Sequence, residues 1–427
     1  MKFFRNLSQN KATLLKNTVM LYILTFSTYL MSFIVVPYET RVLGSKYFGL
    51  LGLATAVMVY FQLVIDFGFI LSATEEVSQH REDKKRLSVI FTAVTINKLL
   101  LTVISCAALL VLCRIIPRWH ENEVFLLLFF AATAINSLMP DYLYRGIEQM
   151  SAITVRAVLI KLFFTIMIFL VVKRPEHYYL IPVLNIIGNL AALLGVYLHL
   201  YMKLNVKFTK CRPGEMWGNL RRSMTFFFSR IATTVYTAAN TIILDLISAG
   251  QSTAFYTSAD KLITTAKNGM SPISDSLYPY MVKNKDFKLV RKVLTIIMPM
   301  IILGCAIVFI WAEPLCLWFF GAEYGATAPV LRAMLPVVIV ILPSYLLGFP
   351  TLSAMGLSKH ANYSVIFGSA LHIVNLTVLY FTGNMNMVTL GAMVSVAETA
   401  ILAYRVAVII RHRDLLKKSS DEERDTL

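Results

Sequence analysis

Apolar positions in this chain run in long blocks rather than in the narrow one-face stripe of a soluble amphipathic helix. A hydrocarbon slab about 30 Å thick needs about 20 such residues per helix, and blocks of that size recur along the chain. They predict about twelve membrane-spanning helices. The first six are expected at Asn17–Val36, Tyr47–Ser72, Leu87–Cys113, Asn122–Tyr144, Ala152–Val172 and Tyr178–Leu200. Six more are expected at Leu220–Ile247, Ala254–Val282, Leu289–Ala312, Thr327–Pro350, Ala361–Thr382 and Met387–Ile410. The fold class is therefore expected to be all-α, a polytopic membrane protein. The first block is long and lacks a small-residue cleavage site, so it reads as a retained span rather than a signal peptide.

The connecting segments orient these helices. Alternate connections carry Lys2, Arg5, Lys11 and Lys16; Arg81, Lys84, Lys85 and Arg86; Lys203, Lys207, Lys210 and Arg212; Lys283, Lys285, Lys288, Arg291 and Lys292; and Arg411, Arg413, Lys417 and Lys418. The intervening connections are poor in Lys and Arg, so the basic clusters and both termini are expected on the cytoplasmic side. A weak internal echo accompanies this pattern. PDYLYRGIEQM (140–150) has a counterpart in PTLSAMGLSKH (350–360), with Gly146 and Gly356 in register. Such an echo predicts duplicated helical halves, 1–212 and 213–427, with a substrate site at their interface.

Composition changes the picture in one respect. Hydrophobic residues make up 57% of the chain and charged residues 15%, with a mean hydropathy of +0.67, so a single aqueous core cannot hide them. The formal charge of +16 lies between apolar blocks and marks topology, not a nucleic-acid surface. The five cysteines show no metal-ligand spacing. There is no phosphate loop, no HExxH and no extramembrane segment long enough for a catalytic domain, so no cofactor and no enzyme activity are expected.

Polar residues inside the blocks are the candidate chemistry. On the eighth predicted span, Asp260, Thr264, Lys267, Ser271, Asp275 and Tyr278 recur at helical spacing, and on the seventh so do Arg230, Thr234, Thr237, Thr241 and Asp245. A cation at mid-bilayer costs about 2.5 to 3.5 kcal/mol, so Lys98, Lys161, Arg230, Lys261 and Lys267 must be solvated or paired. Pairing of Lys267 with Asp260 or Asp275 is one reading; a cationic vestibule for an anionic head group is the other. Asp141, Arg145 and Arg156 sit near the inner ends of the fourth and fifth spans, where they either meet a phosphate or anchor the interface. Glu398 is either an ion site or the partner of Arg405, seven residues on.

Several stretches, in this order, carry a family resemblance: RVLGSKYFGLLGLA, DFGFILSATEEVSQHRED, YRGIEQM and YTAANTIILDLISAGQSTAFYTSADKL. With the predicted spans they make the chain similar to polysaccharide repeat-unit flippases of the O-antigen type, within the multidrug, oligosaccharidyl-lipid and polysaccharide exporter superfamily. The resemblance implies two six-helix bundles around a central cationic cavity that work by alternating access in a bacterial inner membrane, with an undecaprenyl-pyrophosphate-linked oligosaccharide as cargo. It also implies contact with membrane lipid and with other polysaccharide-assembly membrane proteins. Substrate contacts are then expected from Arg230, Lys261, Lys267, Lys98 and Arg145, with Thr234, Asn240 and Asp260 beside them. Such proteins usually carry Asp where this chain has Asn240, which removes one cavity charge. The alternative is a cation-coupled drug or small-molecule exporter of the same superfamily. That would call for an acid within the first span, where this chain has none.

Overall fold

The computed structural model describes residues 9–248 and 250–414; the side chains at 9–18, 21, 24, 29, 229, 232–237 and 279 also lie outside the described residues. Among these the chain is helical, without a strand. The helices of its first half are α1 (Gln9–Asp66), α2 (Phe69–Gln79), α3 (Lys84–Ile115), α4 (Pro117–Glu121), α5 (Glu123–Ser137), α6 (Asp141–Gly146), α7 (Met150–Val171) and α8 (Leu180–Met202). Those of the second are α9 (Pro213–Ile247), α10 (Gly250–Asn284), α11 (Phe287–Ile310), α12 (Ala312–Phe320), α13 (Thr327–Leu347), α14 (Phe349–Ala354), α15 (Ser358–Phe381) and α16 (Met387–Arg411).

Nine helical stretches among the described residues are long and apolar enough to cross a membrane. The first of these, Thr25–Gln79, takes in two predicted spans, because Gly44 breaks α1 with a left-handed backbone (φ 69°). Helices α9 and α10 occupy the seventh and eighth predicted ranges but fall outside the nine. Their polar stripes are the reason, since Arg, Lys, Asp, Thr and Ser lower the apolarity of any window drawn across them. Elsewhere apolar side chains point outward: on α11, Met300, Leu303 and Ile310 are 71%, 63% and 70% exposed. That much continuous apolar surface requires lipid rather than water as solvent. The chain is an integral membrane protein.

Starts and stops follow ordinary capping chemistry. Asp83 accepts from the backbone amides of Lys85 and Arg86 at 3.0 Å to open α3, and Asp286 does the same from Leu289 for α11. Asn386 and Thr389 form a reciprocal capping box at α16.

Two compact units emerge: residues 1–43 with 53–234, and residues 44–52 with 235–427. The first packs around Phe69, Val77, Phe91, Tyr142 and Leu200. The second has a cluster around Met281, Val290, Leu342 and Leu346. In the second unit the Ser45 amide donates to Glu323 at 3.1 Å. A Cβ on Gly49 would lie 2.0 Å from the Gly250 carbonyl oxygen, so α1 meets α10 there through bare backbone. This gives the RVLGSKYFGLLGLA stretch a packing role that spacing alone did not reveal.

The order α3–α8 recurs as α11–α16, including the short six-residue helices α6 and α14. The register differs from the sequence echo, however. The left-handed residue two positions before α7 is Glu148 (φ 61°), and its structural counterpart two positions before α15 is Gly356 (φ 77°). Gly146 therefore does not align with Gly356.

Candidate functional site

The buried charges of the first unit are largely neutralised from within. Lys98, 5% exposed on α3, holds its ammonium 2.9 Å from Asp66 at the end of α1 and also donates to the Ser137 carbonyl at the end of α5. The sequence reading placed Lys98 against a head group. In the structure it ties the middle of α3 to the ends of α1 and α5, where a buried ammonium finds both a counter-charge and a carbonyl. Asp66 belongs to the Asp66-Phe67-Gly68 triplet, which forms the turn into α2: Phe67 and Gly68 both adopt positive φ (39° and 79°). A Cβ on Gly68 would lie 2.8 Å from the Ser223 carbonyl oxygen.

A second network was not foreseen. Glu76, 8% exposed on α2, receives Arg86 at 2.6 Å and Arg222 at 2.7 Å, while Arg86 also reaches Glu215 at 2.8 Å. Asn97 adds a hydrogen bond to the Met216 carbonyl at 2.9 Å, and Ser72 pairs with Ser223 at 2.6 Å. The start of α9 is thereby fastened to α2 and α3. The Arg86 guanidinium beside Glu215 holds that carboxyl below its ordinary range.

In the second unit α9, α10, α15 and α16 bring polar groups together. Asn240 is fully buried, donating to the Tyr256 hydroxyl at 2.9 Å and lying 2.9 Å from His372 Nε2. Asp260 follows Tyr256 by one turn of α10, so two of the predicted residues, Asn240 and Asp260, share one neighbourhood. Lys261 is half-buried and forms no salt bridge among the described residues. Lys267 lies 2.5 Å from Glu398, which is 3% exposed. Lys267 thus finds an ion-pair partner in Glu398, on another helix, and Arg405 reaches the Ser344 carbonyl and hydroxyl (2.9 Å to the hydroxyl) and the Ser364 hydroxyl at 2.8 Å. A carboxylate on α16 can face α10 directly, whereas residues seven apart on one helix stack two turns away from each other.

The remaining predicted residues, Arg230, Arg145 and Thr234, all belong to the first unit. Arg230 is half-buried on the part of α9 that packs with the first unit. Arg145 is half-buried on α6, near the Asp141–Arg156 ion pair at 2.7 Å. The side chain of Thr234, with those of Tyr236 and Thr237, lies outside the described residues.

The comparisons agree with this architecture. Residues 14–285 match the family model described as polysaccharide biosynthesis protein. A "Putative O-antigen transporter" of Shigella dysenteriae is 26% identical over 385 residues, covering 87% of this chain and 95% of that relative. Its counterpart from Escherichia coli (strain K12) is 26% identical over 280 residues, 64% of this chain, and the match spans 66% of that relative's length, just under two thirds. Among solved structures, the lipid II flippase MurJ in an inward closed conformation superposes with a TM-score of 0.70 at 14% identity, over 93% of this chain and 90% of that one. An inward-facing MATE family multidrug transporter of the MOP superfamily gives 0.67 at 12% identity, over 91% and 96%. At such identities the structural likeness carries the fold alone. The chain belongs to the polysaccharide biosynthesis protein family, the polysaccharide transporter branch its sequence resembles.

Proposed function

We propose that this protein is a flippase that moves an undecaprenyl-pyrophosphate-linked oligosaccharide repeat unit from the cytoplasmic to the periplasmic leaflet of a bacterial inner membrane, for O-antigen or capsule assembly. It works by alternating access and performs no covalent chemistry. The observation that carries this reading is the concentration of polar and basic side chains on α9 and α10, within an otherwise apolar set of helices. Lys261 is the chief head-group cation of the proposal, because its ammonium forms no salt bridge among the described residues. Lys267 shares itself with Glu398, and Arg230, in the first unit, is proposed as a further head-group cation. In the second unit, Asp260 and the α10 hydroxyls are proposed to bind sugar. Lys98 is withdrawn from this set.

Energetics support the direction. Moving negative charge outward across an inside-negative membrane is favourable by about 2.3 kcal/mol per charge per 100 mV, so no nucleotide is required. The basic clusters and both termini are proposed to face the cytoplasm. The names of the two relatives support a transported glycan. A second reading, a cation-coupled exporter of small molecules, takes its support from the buried Asn240–His372 contact, which could hold or exclude a proton.

Surface polysaccharide in a strain deleted for its own copy of this protein tests the proposal. Wild type is expected to restore it, and Lys261→Ala, at equal membrane abundance, to reduce it at least about tenfold. Full restoration by Lys261→Ala would remove the assignment of that cation.

A further inference from the structure

Three guanidinium nitrogens of the first unit are buried with no hydrogen-bond partner among the described residues: Arg145 Nε, Arg156 Nε and Arg156 Nη1. Both arginines belong to the corner where α6 passes into α7. Asp141, which opens α6, lies 2.7 Å from Arg156 Nη2. Arg145 follows Asp141 by four residues, which sets the two on one face of the short helix. Asp141 is paired with Arg156. The next acid along, Glu148, is occupied by Arg81 at 2.7 Å.

The corner is rigid. Gly146 packs so closely on α2 that a Cβ there would fall 2.3 Å from Val77 Cγ1. The Tyr142 carbonyl accepts from Thr74 at 3.2 Å, and the Tyr144 hydroxyl meets His199 Nδ1 at 2.9 Å. These three nitrogens are shut off from water, and a buried donor lacking an acceptor is costly. The acceptor that suits two guanidinium forks is a phosphate, whose oxygens take paired N–H donors. The Arg81–Glu148 contact also sets the corner beside the basic 81–86 segment, on the side expected to face the cytoplasmic leaflet.

We propose that Arg145 and Arg156, with Asp141 orienting Arg156, form a phosphate-binding site for a lipid head group of the cytoplasmic leaflet, separate from the α9 and α10 cations. The phosphate belongs to an anionic phospholipid or to the polyprenyl pyrophosphate of a lipid-linked glycan; the recognition chemistry is the same. The site does not depend on the flippase assignment.

The test uses the full-length protein purified in nanodiscs of phosphatidylcholine doped with phosphatidylglycerol or with undecaprenyl pyrophosphate. Native mass spectrometry counts the lipids retained on release. Wild type is expected to retain at least one of the two lipids over phosphatidylcholine, and Arg145→Gln, which leaves the Asp141–Arg156 pair intact, to lower that retention about tenfold. Loss of only one lipid in Arg145→Gln identifies the source of the phosphate and supports the site. Where Arg156→Gln alone fails to fold, the double variant Asp141→Asn, Arg156→Gln removes both charges together and is expected to lose retention as well. Equal retention by wild type and Arg145→Gln, or no preference for either phosphate lipid in wild type, would overturn the proposal.

Discussion

Exchanging Asp66 for Asn should harm this protein more than exchanging Lys98 for Met, although the two residues form one ion pair. The asymmetry follows from exposure: the Lys98 side chain is 7% exposed and that of Asp66 is 20% exposed. Stranding a buried charge costs about 3 to 5 kcal/mol. In Asp66→Asn the ammonium keeps only the Ser137 carbonyl and the amide oxygen, so a loss of about 3 kcal/mol is expected, a shift of about a hundredfold in the folding equilibrium. In Lys98→Met the carboxylate retains some access to water, and the expected loss is about 1 to 2 kcal/mol. The double variant buries no charge, so it should recover most of the loss, with a coupling of about 1 to 3 kcal/mol in the double-mutant cycle. Reversible unfolding of the purified protein in mixed micelles, followed by tryptophan fluorescence, reads these differences. Transport by the double variant should stay close to wild type per folded molecule. Additive losses in the cycle would refute the reasoning, as would a double variant that folds normally but no longer restores surface polysaccharide.

Other expectations follow from the same contacts. Gly68→Ala should destabilise by about 2 to 5 kcal/mol, since it forces a left-handed backbone and a methyl group against the Ser223 carbonyl, and thermal melting reads it. Because the Glu215 carboxyl is held below its ordinary range by Arg86, its pairing contributes stability above the unfolded value near 4.5, which is lost as pH falls through the lower folded value. The stability gap between wild type and Glu215→Gln should therefore shrink between pH 7 and acid, with no such trend toward alkaline pH; a gap independent of acid would contradict it. Glu398→Gln should weaken folding less than Lys267→Ala, since a neutral amide can still accept from the ammonium whereas the lone carboxylate is 3% exposed, and chemical unfolding separates the two.

The helices were legible because a bilayer leaves the chain little choice: backbone amides must bond within a segment, so apolar blocks of the right length become helices. The polar stripes of α9 and α10 were equally plain, since helical spacing is local. Partners were not. Lys98 and Asp66 are 32 residues apart, Lys267 and Glu398 are 131, and Arg86 and Glu215 are 129. Nothing in a single sequence ranks Glu398 above Asp260 as the acid for Lys267, because the choice depends on which helices pack. The Asp66-Phe67-Gly68 triplet opens the second stretch that carries the family resemblance. Its meaning lay in two consecutive positive φ angles, of which only the glycine gave a sign. The Gly146 and Gly356 echo misled by two positions, because the left-handed residue after α6 is a glutamate.

Flipping measured directly in proteoliposomes tests the central claim. Purified protein is reconstituted with undecaprenyl-pyrophosphate-linked oligosaccharide, and glycan emerging on the outer face is scored with a membrane-impermeant oxidant, without nucleotide and with an imposed potential. The account predicts protein-dependent flipping that accelerates when the destination side is positive, and a loss of at least about tenfold in Lys261→Ala. Flipping no faster than in protein-free vesicles, or a Lys261→Ala rate equal to wild type, would contradict it.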